Sequence, residues 1–308
     1  VENDLVFSDL DVDDKRCNPG QTLLFSGKVY YEGTTIPPPD GNYQVTLRLG
    51  SENKGYDNNL EGGEFFISAS AELDVGAYDY EVVCDHSKEP GLFPTVIVDR
   101  LKIVSKGSTD DRTNVGETVQ VYFVIRREYD DSLFTGSDGK VCINGVEATW
   151  NGTENRWELS VSSSEVCAQN YQVTGVEDTL YGITVFVDEV GAQEVIWDEI
   201  VTTWYGVSDS DGRCDVGSTQ TIMVKLELKY DGTQLDGADI VYINGVMASY
   251  DSTGGYFYIN HTESDVKKLE FSVSSAEETQ YGITAFEETQ TPPQLIWDRV
   301  DVTLSISD

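Results

Sequence analysis

Acidic residues are the most obvious candidate metal ligands in this sequence. Asp9, Asp11 and Asp13 alternate, so on an extended strand their carboxylates would point to one face. The second group consists of Asp209, Asp211 and Asp215. Ca²⁺ takes about six to eight oxygen ligands, and carboxylates in loops often supply them. The pattern predicts calcium sites, with solvated turn aspartates as the alternative.

Five cysteines could form disulfide bonds. We predict one bond between Cys17 and Cys84 and another between Cys142 and Cys167. The sequence consists of three repeated segments, residues 1–102, 103–200 and 201–308, and the two cysteines of each pair lie within the same segment. Each bond would stabilise its domain by roughly 3–5 kcal/mol, and two such bonds would indicate an oxidising, extracellular compartment. Buried reduced thiols in a cytosolic protein are the alternative. Cys214 is the odd cysteine and predicts a bond to another unit or chain.

Two sequons are also typical of a secreted protein. They are Asn151-Gly152-Thr153 and Asn260-His261-Thr262, and each matches the acceptor pattern for an N-linked glycan. Both lie beside predicted strands or turns, where a glycan could reach solvent. The sequence therefore predicts glycosylation at Asn151 and Asn260.

Catalytic chemistry has little support in the sequence. The only histidines are His86 and His261, and they lie in different repeats. The sequence contains no nucleophile elbow, phosphate-binding loop, dinucleotide fingerprint or zinc-protease motif. A carboxylate pair for glycoside hydrolysis among the 55 acidic residues is the alternative left open. The prediction is a protein without enzymatic activity.

The net charge limits the range of partners. Fifty-five acidic residues face 20 basic ones, which gives a net charge of −35. Such a surface repels nucleic acid and anionic lipid and favours cations and basic partners. No apolar run is long enough to span a membrane. The chain begins at Val1 without a signal peptide, so we expect a processed, mature start.

The elements that must position these residues recur along the chain. Val96 to Leu101 returns as Val195 to Ile200 and as Leu295 to Val300, so that the aspartates in these segments lie 99 and 100 residues apart (198 − 99; 298 − 198). The segment from Asp14 to Gly20 also returns as Asp111 to Gly116 and as Asp211 to Gly217. A fixed period of this size predicts one structural unit copied three times. The predicted domains are residues 1–102, which form the divergent copy, 103–200 and 201–308.

Each repeat carries the pattern of short β-strands. Apolar residues alternate in segments such as 119–125 and 222–228, and Asn144-Gly145 and Asn244-Gly245 are strong hairpin signals. The fold class predicted is all-β, with three tandem antiparallel β-sandwich domains. No Gly/Ser or Pro linker separates them, so we expect an extended rod.

A resemblance to a known family follows from these motifs. Ile196-Trp197-Asp198, Tyr230-Asp231-Gly232-Thr233, Ile243 to Val246 and Tyr281 to Thr284 resemble motifs of tandem immunoglobulin-like repeats in secreted and surface-layer-type proteins of archaea and some bacteria. The resemblance is good for the second and third repeats and loose for the first. It implies a sandwich fold and an exterior structural or adhesive role, and it implies no catalytic residues.

The end of the sequence suggests a way to assemble. Val300, Val302, Leu304 and Ile306 alternate in a predicted strand over 300–306. This strand would either complete the edge of the third repeat or add to a sheet of a neighbouring molecule. The leading hypothesis is a self-assembling subunit of a cell-surface filament or layer. The rivals are an adhesin that binds a glycan or protein through domain-end loops and the non-catalytic part of a larger enzyme.

Overall fold

The structure is a computed structural model that describes residues 4–41, 43–208 and 211–302. Throughout this part of the chain, regular structure consists of β-strands. Over the same ranges, no helix has the length and apolar character needed to cross a membrane. The all-β prediction is confirmed.

The strands follow one another through short turns. The first group is β1 (Leu5–Val12), β2 (Arg16–Cys17), β3 (Thr22–Tyr31), β4 (Val45–Leu49), β5 (Glu52–Asp57), β6 (Glu64–Ser70), β7 (Gly76–Tyr78), β8 (Tyr80–Cys84), β9 (Gly91–Leu92) and β10 (Val96–Val98). The second is β11 (Leu101–Ser108), β12 (Arg112–Asn114), β13 (Thr118–Arg127), β14 (Gly139–Ile143), β15 (Val146–Glu147), β16 (Thr149–Asn151), β17 (Arg156–Ser162), β18 (Cys167–Tyr171), β19 (Val173–Asp178), β20 (Phe186–Asp188) and β21 (Gln193–Asp198). The third is β22 (Ile200–Val207), β23 (Arg213–Asp215), β24 (Thr219–Leu228), β25 (Ile240–Ile243), β26 (Val246–Met247), β27 (Ser249–Asp251), β28 (Tyr256–Thr262), β29 (Lys267–Glu270), β30 (Val273–Glu277), β31 (Phe286–Glu288) and β32 (Gln294–Asp298).

The chain divides into two compact units. The first contains residues 1–107, 122–159 and 171–192, and the second contains residues 108–121, 160–170 and 193–308. The predicted domain boundaries at residues 102 and 200 stay predictions.

The first unit contains a complete β-sandwich. Its sheets have the strand orders β1-β3-β6, β2-β10-β7 and β5-β4-β8-β9. Apolar residues alternate along β3, so Leu23, Phe25 and Val29 point inward and are fully buried. They pack in one core with residues such as Tyr80 and Val98. The other sheets in which this unit takes part are β16-β17-β13-β11-β20 and β15-β14-β19.

The second unit repeats this architecture. A five-stranded sheet of order β27-β28-β24-β22-β31 faces two three-stranded sheets, β23-β32-β29 and β26-β25-β30. The alternating residues of β24, including Ile222 and Val224, are buried with Phe271 and Trp297. The remaining sheet of the described residues is β12-β21-β18. The chain is thus a tandem array of immunoglobulin-like β-sandwiches.

The hairpin predictions are confirmed. β14 pairs with β15 and β25 pairs with β26, each through an Asn-Gly turn. The asparagine and the glycine have positive φ in both turns, which is what a type I′ hairpin requires.

Candidate functional site

Three short strands place an arginine beside an aspartate in the same way. β2 pairs in parallel with β10, β12 with β21, and β23 with β32. An aspartate two residues earlier positions each arginine, as the backbone N–H groups of Arg16, Arg112 and Arg213 donate to Oδ1 of Asp14, Asp110 and Asp211 at 3.1, 3.2 and 2.9 Å. Asx turns of this kind fix the backbone locally. These turns explain why an aspartate stands two residues before each of the three arginines.

The first cluster lies in the first unit and centres on Arg16. Nε and Nη2 of Arg16 donate to Oδ2 of Asp99 at 3.0 and 2.5 Å. Nη2 also lies 3.0 Å from Oδ2 of Asp130. The Asp99 side chain is fully buried and that of Arg16 is 11% exposed. The guanidinium is therefore held between two carboxylates.

The remaining groups of the first cluster complete the coordination of Asp99. Its Oδ1 accepts the backbone N–H groups of Tyr129 and Arg100 at 2.9 and 2.8 Å. The Cζ atom of Arg16 lies 4.5 Å from the ring centre of Tyr181, within the range of a cation–π contact. Both charges of the pair thus have several partners.

Asn18 adds a second point of attachment to the first cluster. Its Oδ1 accepts the backbone N–H groups of Thr184 and Val185 at 2.8 and 3.0 Å. Its Nδ2 donates to the carbonyl oxygen of Gly182 at 3.0 Å. One amide side chain thereby satisfies three backbone groups of a turn. The predicted boundary at residue 102 would place Asn18 and this turn in different repeats.

The second cluster, in the second unit, has the same design. Nε and Nη2 of Arg112 donate to Oδ2 of Asp198, the former at 3.0 Å. Nη1 donates to Oδ2 of Asp231 at 2.9 Å. The side chain of Arg112 is 7% exposed and that of Asp198 is fully buried. Oδ1 of Asp198 accepts the backbone N–H groups of Tyr230 and Glu199, each at 2.9 Å.

The second attachment is also repeated. Oδ1 of Asn114 accepts the backbone N–H groups of Thr284 and Ala285, each at 2.7 Å. The Cζ atom of Arg112 lies 4.9 Å from the ring centre of Tyr281. The Tyr-Gly-Ile-Thr segment identified in the sequence is the turn that receives both side chains.

Electrostatics favour the charged form of these groups. Burial alone would lower the pKa of Arg112, but hydrogen bonds to Asp231 and Asp198 raise it above the ordinary arginine value. The hydrogen bond from Arg112 holds the pKa of Asp231 well below its usual range, against a smaller opposing effect of burial. The pKa of Arg16 is raised for the same reason, with Asp99 and Asp130 outweighing burial.

The third copy of the arginine–aspartate pair has a different environment. Nη1 of Arg213 donates to Oδ2 of Asp298 at 2.8 Å. The two side chains are 62% and 44% exposed. This pair therefore has the same strand register as the other two but little of their burial.

The structure does not bring the predicted calcium ligands near the start of the chain together. Asp9 has a positive φ of 52° beside a β-bulge, so the strand alternation that would align the three carboxylates is broken. Asp11 pairs with Lys15 at 3.0 Å, and Oδ1 of Asp13 accepts the backbone N–H of Leu24 at 2.9 Å. The expectation of one shared face is wrong.

The later group of aspartates is described only in part. Asp209 lies outside the described residues. Asp211 holds the turn before Arg213, and Asp215 lies on β23. Within the ranges that the structure describes, no three His, Cys, Asp or Glu residues are grouped so as to hold a metal ion.

Both predicted disulfides are absent, and their cysteines are thiols. Cys17 pairs with Val98, next to Asp99 and the first cluster. Cys84 pairs with Val45 at the end of β8, which belongs to another sheet. The two thiols therefore lie on strands of different sheets around one core, and neither forms a disulfide.

The second predicted disulfide fails for a different reason. Cys142 alternates with the buried Val141 and Ile143 on β14, so its side chain points away from the core. Cys167 lies on β18, in another sheet, where its Sγ is 3.3 Å from Oγ of Ser163. The two cysteines thus lie in separate sheets, and neither forms a disulfide.

The other predicted site residues lie as follows. Cys214 is 8% exposed, with Sγ 3.7 Å from the carbonyl oxygen of Ile296, so it is packed within its own sheet. Nδ2 of Asn151 donates to Glu158 at 3.1 Å, and Oδ1 of Asn260 accepts from Thr221 at 2.8 Å. Glycosylation of the two asparagines stays a prediction.

The predicted assembly strand is described only in part. Val300 and Val302 are 90% and 77% exposed and belong to no strand. Leu304 and Ile306 lie outside the described residues. Strand addition through this segment stays a prediction.

Comparisons with known proteins give only distant similarities. No family model matches the chain, and no curated protein matches it. The chain is similar to the Escherichia coli adhesin FdeC, with 13% identity over 97% of this chain and 100% of that one and a TM-score of 0.36. It is similar to three N-terminal domains of the outer capsid protein Hoc of bacteriophage RB49, with 8% identity over 96% and 100% and a TM-score of 0.39. A C-terminal fragment of intimin, solved with the intimin-binding domain of its translocated receptor, has 12% identity over 64% and 67% and a TM-score of 0.37.

Proposed function

We propose that the chain is a non-catalytic structural part of a cell-surface protein, in which arginine–aspartate clusters hold successive immunoglobulin-like repeats together. The observation that carries the proposal is the repetition of the cluster. Arg16 and Arg112 bind equivalent aspartates through the same atoms, and each contacts an equivalent tyrosine. Two independent copies of one arrangement indicate a common structural purpose.

The geometry favours structure over ligand binding. The guanidinium of Arg112 directs its hydrogen bonds at Asp198 and Asp231, and its side chain is 7% exposed. A cation that is already enclosed by two carboxylates offers no accessible donor to a substrate. A buried pair with satisfied hydrogen bonds does fix one arrangement of the elements it joins.

The structural role can be tested by mechanical unfolding of single molecules. We expect Arg16→Gln combined with Arg112→Gln to lower the force at which the chain first yields, because both clusters lose their buried cation. Arg213→Gln is the matched control, since Arg213 has the same register but is largely exposed. Equal unfolding forces for the double variant and the control would contradict the proposal.

The proposed location is the exterior of the cell. The proposal is supported by the two sequons, the acidic composition and the resemblance of the repeats. The cysteines give no support, since the predicted disulfides are not formed. Antibodies against the purified chain should label intact source cells. Labelling that appears only after the cells are permeabilised would contradict an exterior location.

A second candidate function is self-assembly into a filament by strand addition. It is favoured by the apolar side chains of Val300 and Val302, which are almost fully exposed. Repeated head to tail, such a contact would give an open polymer. Removal of residues 299–308 should abolish polymerisation of the pure protein, whereas Cys214→Ser should leave it unchanged. A truncated protein that still polymerises would contradict the strand as the joint.

A further inference from the structure

We propose that the exposed third cluster is a docking site for another repeat of the same type. The third cluster is defined here as Arg213, Asp215, Asp298, Arg299 and Val300, which with Cys214 line one surface groove. The inference rests on the proposed structural role of the two buried clusters. It adds the kind of partner that the groove fits.

The strand register shows that the third cluster matches the other two. Arg213 pairs with Ile296 and Asp215 with Asp298. Arg112 pairs in the same way with Ile196, and Asn114 with Asp198. The backbone N–H of Val216 donates to the carbonyl oxygen of Asp298 at 3.0 Å, as that of Val115 does to Asp198. The strands that carry the arginine and its paired aspartate, the donor half of a cluster, are therefore complete.

The acceptor half is missing among the described residues. The side chain of Arg112 donates to two carboxylates, those of Asp198 and Asp231. Among the described residues, the side chain of Arg213 donates only to Asp298. Oδ1 of Asp298 accepts the backbone N–H of Arg299 at 2.9 Å. In the second cluster the corresponding oxygen also accepts from Tyr230. A docked partner would supply a Tyr-Asp segment at this position.

The residues after Asp298 point to the same partner. Leu101 and Ile200 stand two residues after the aspartates of the buried clusters, and each is fully buried where it pairs with Phe186 or Phe286. Val300 has the equivalent position and is 90% exposed. In both buried clusters the apolar side chain at this position lies in the core of the repeat that the cluster holds, and Val300 would do the same for a docked repeat. This observation is independent of the arginine–aspartate pair.

Charge indicates which variant of the repeat fits. Arg100, directly after Asp99, donates to Glu128, with Nη2 at 3.2 Å from Oε1. At the equivalent positions of the second cluster the charges are exchanged, and Lys229 donates to Glu199 at 2.6 Å. Arg299 restores the positive charge on the donor side. The expected partner therefore presents an acidic residue followed by Tyr-Asp.

The second attachment tolerates the change from asparagine to aspartate. Asn18 and Asn114 each accept two backbone N–H groups through Oδ1. Asp215 can accept two such groups in the same way, and a charged acceptor makes stronger hydrogen bonds. It cannot donate to the turn carbonyl, but that bond is already long in the second cluster, at 3.5 Å. The partner therefore needs a turn with two adjacent N–H groups, as in Tyr-Gly-Ile-Thr.

The first repeat of a second copy does not meet these requirements. The backbone N–H of Glu32 donates to the carbonyl oxygen of Asp4, as that of Glu128 does to Arg100. Gly33 and Thr34 consequently stand where the buried clusters have a tyrosine and an aspartate. The partner is a repeat with the complete acceptor loops, rather than the start of another copy of this chain.

The test is a fusion in which residues 1–298 are followed by a second copy of residues 199–308, with only the added copy labelled with ¹⁵N. We expect the amides of Tyr230, Thr284 and Ala285 in the added copy to exchange as slowly as they do in the parent chain. Arg213→Gln in the fusion should speed their exchange by about a hundredfold, which is the effect expected for a buried cluster. A second fusion keeps Arg299 before residue 200, and there Lys229→Glu in the added copy should slow the exchange.

The outcomes separate this inference from the proposed function. Fast exchange in the added copy, or no effect of Arg213→Gln, would overturn the docking site while leaving the buried clusters intact. An added copy that folds in neither fusion would also overturn it, because the third repeat has a complete core of its own. Self-association of the unmodified chain that Arg213→Gln abolishes would show a second copy to be the partner. That result would overturn the predicted occupant.

Discussion

Arg112→Gln is the substitution for which the structure makes the sharpest prediction. Arg112 is 7% exposed and donates to a fully buried aspartate and to Asp231. Glutamine is shorter and carries no charge, so Asp198 would remain as a buried carboxylate without its cation. Removing one partner of such a pair costs about 3–5 kcal/mol. Asp198 keeps two backbone donors, Tyr230 and Glu199, which places the expected cost near the lower end, about 3 kcal/mol.

Hydrogen exchange measures this cost locally. A single unfolding midpoint is poorly defined for a chain of several domains. The amides of Tyr230, Thr284 and Ala285 donate to the side chains of Asp198 and Asn114, so they report the opening of the second cluster. At about 1.4 kcal/mol per factor of ten, the expected loss of protection is about a hundredfold.

Arg213→Gln is the matched control. Its pair with Asp298 is exposed and should contribute less than about 1 kcal/mol. Protection of the amides of Val216 and Arg299, which donate to Asp298, should change less than about fivefold. Unchanged exchange protection of the second cluster in Arg112→Gln, or equal losses of protection in the two variants, would contradict the role assigned to Arg112.

Three further predictions concern charge, thiols and metal. The pKa of Asp231 is lowered in the folded chain. Its contribution to stability should therefore be complete above about pH 4, near the pKa of an unfolded aspartate, and should be lost at lower pH. Asp231→Asn should remove this step from the pH profile of exchange protection, and a step that persists would implicate another group. Burial raises the pKa of Cys17 to about 12 and that of Cys84 to about 11, so a maleimide at pH 8 should label the outward-facing Cys142 before either of them. Uniform labelling in mass mapping would contradict this assignment. A chelator should leave the thermal melting curve unchanged, because the described carboxylates among those predicted to bind calcium do not converge, and a transition that moves to lower temperature would restore the calcium hypothesis.

The sequence predicted the framework of the clusters but not the bonds within them. The period placed Asp99, Asp198 and Asp298 at equivalent positions, and the arginines lie in the segment that recurs from Asp14, Asp111 and Asp211. Arg112 is 86 residues from Asp198 and 119 from Asp231. Contacts over such separations depend on the way β12 and β21 pair, which periodicity alone does not specify.

The disulfide prediction failed because spacing says nothing of direction. Cys142 lies between two residues with inward-facing side chains, Val141 and Ile143, so strand alternation alone indicated that it faces outward. No comparable signal existed for Cys17 and Cys84, which are both buried in one core. Their separation follows from the strands that carry them.

The most direct test of the clusters is a double-mutant cycle between Arg112 and Asp231. Arg112→Gln, Asp231→Asn and the double variant are compared through the hydrogen exchange of the Tyr230 amide. If the cluster acts as one unit, the two effects should be coupled by about 1 kcal/mol or more, because the residues share a partly buried hydrogen bond of 2.9 Å. Effects that add to within about 0.5 kcal/mol would show that the residues act independently, and they would contradict the proposal that the clusters hold successive repeats together.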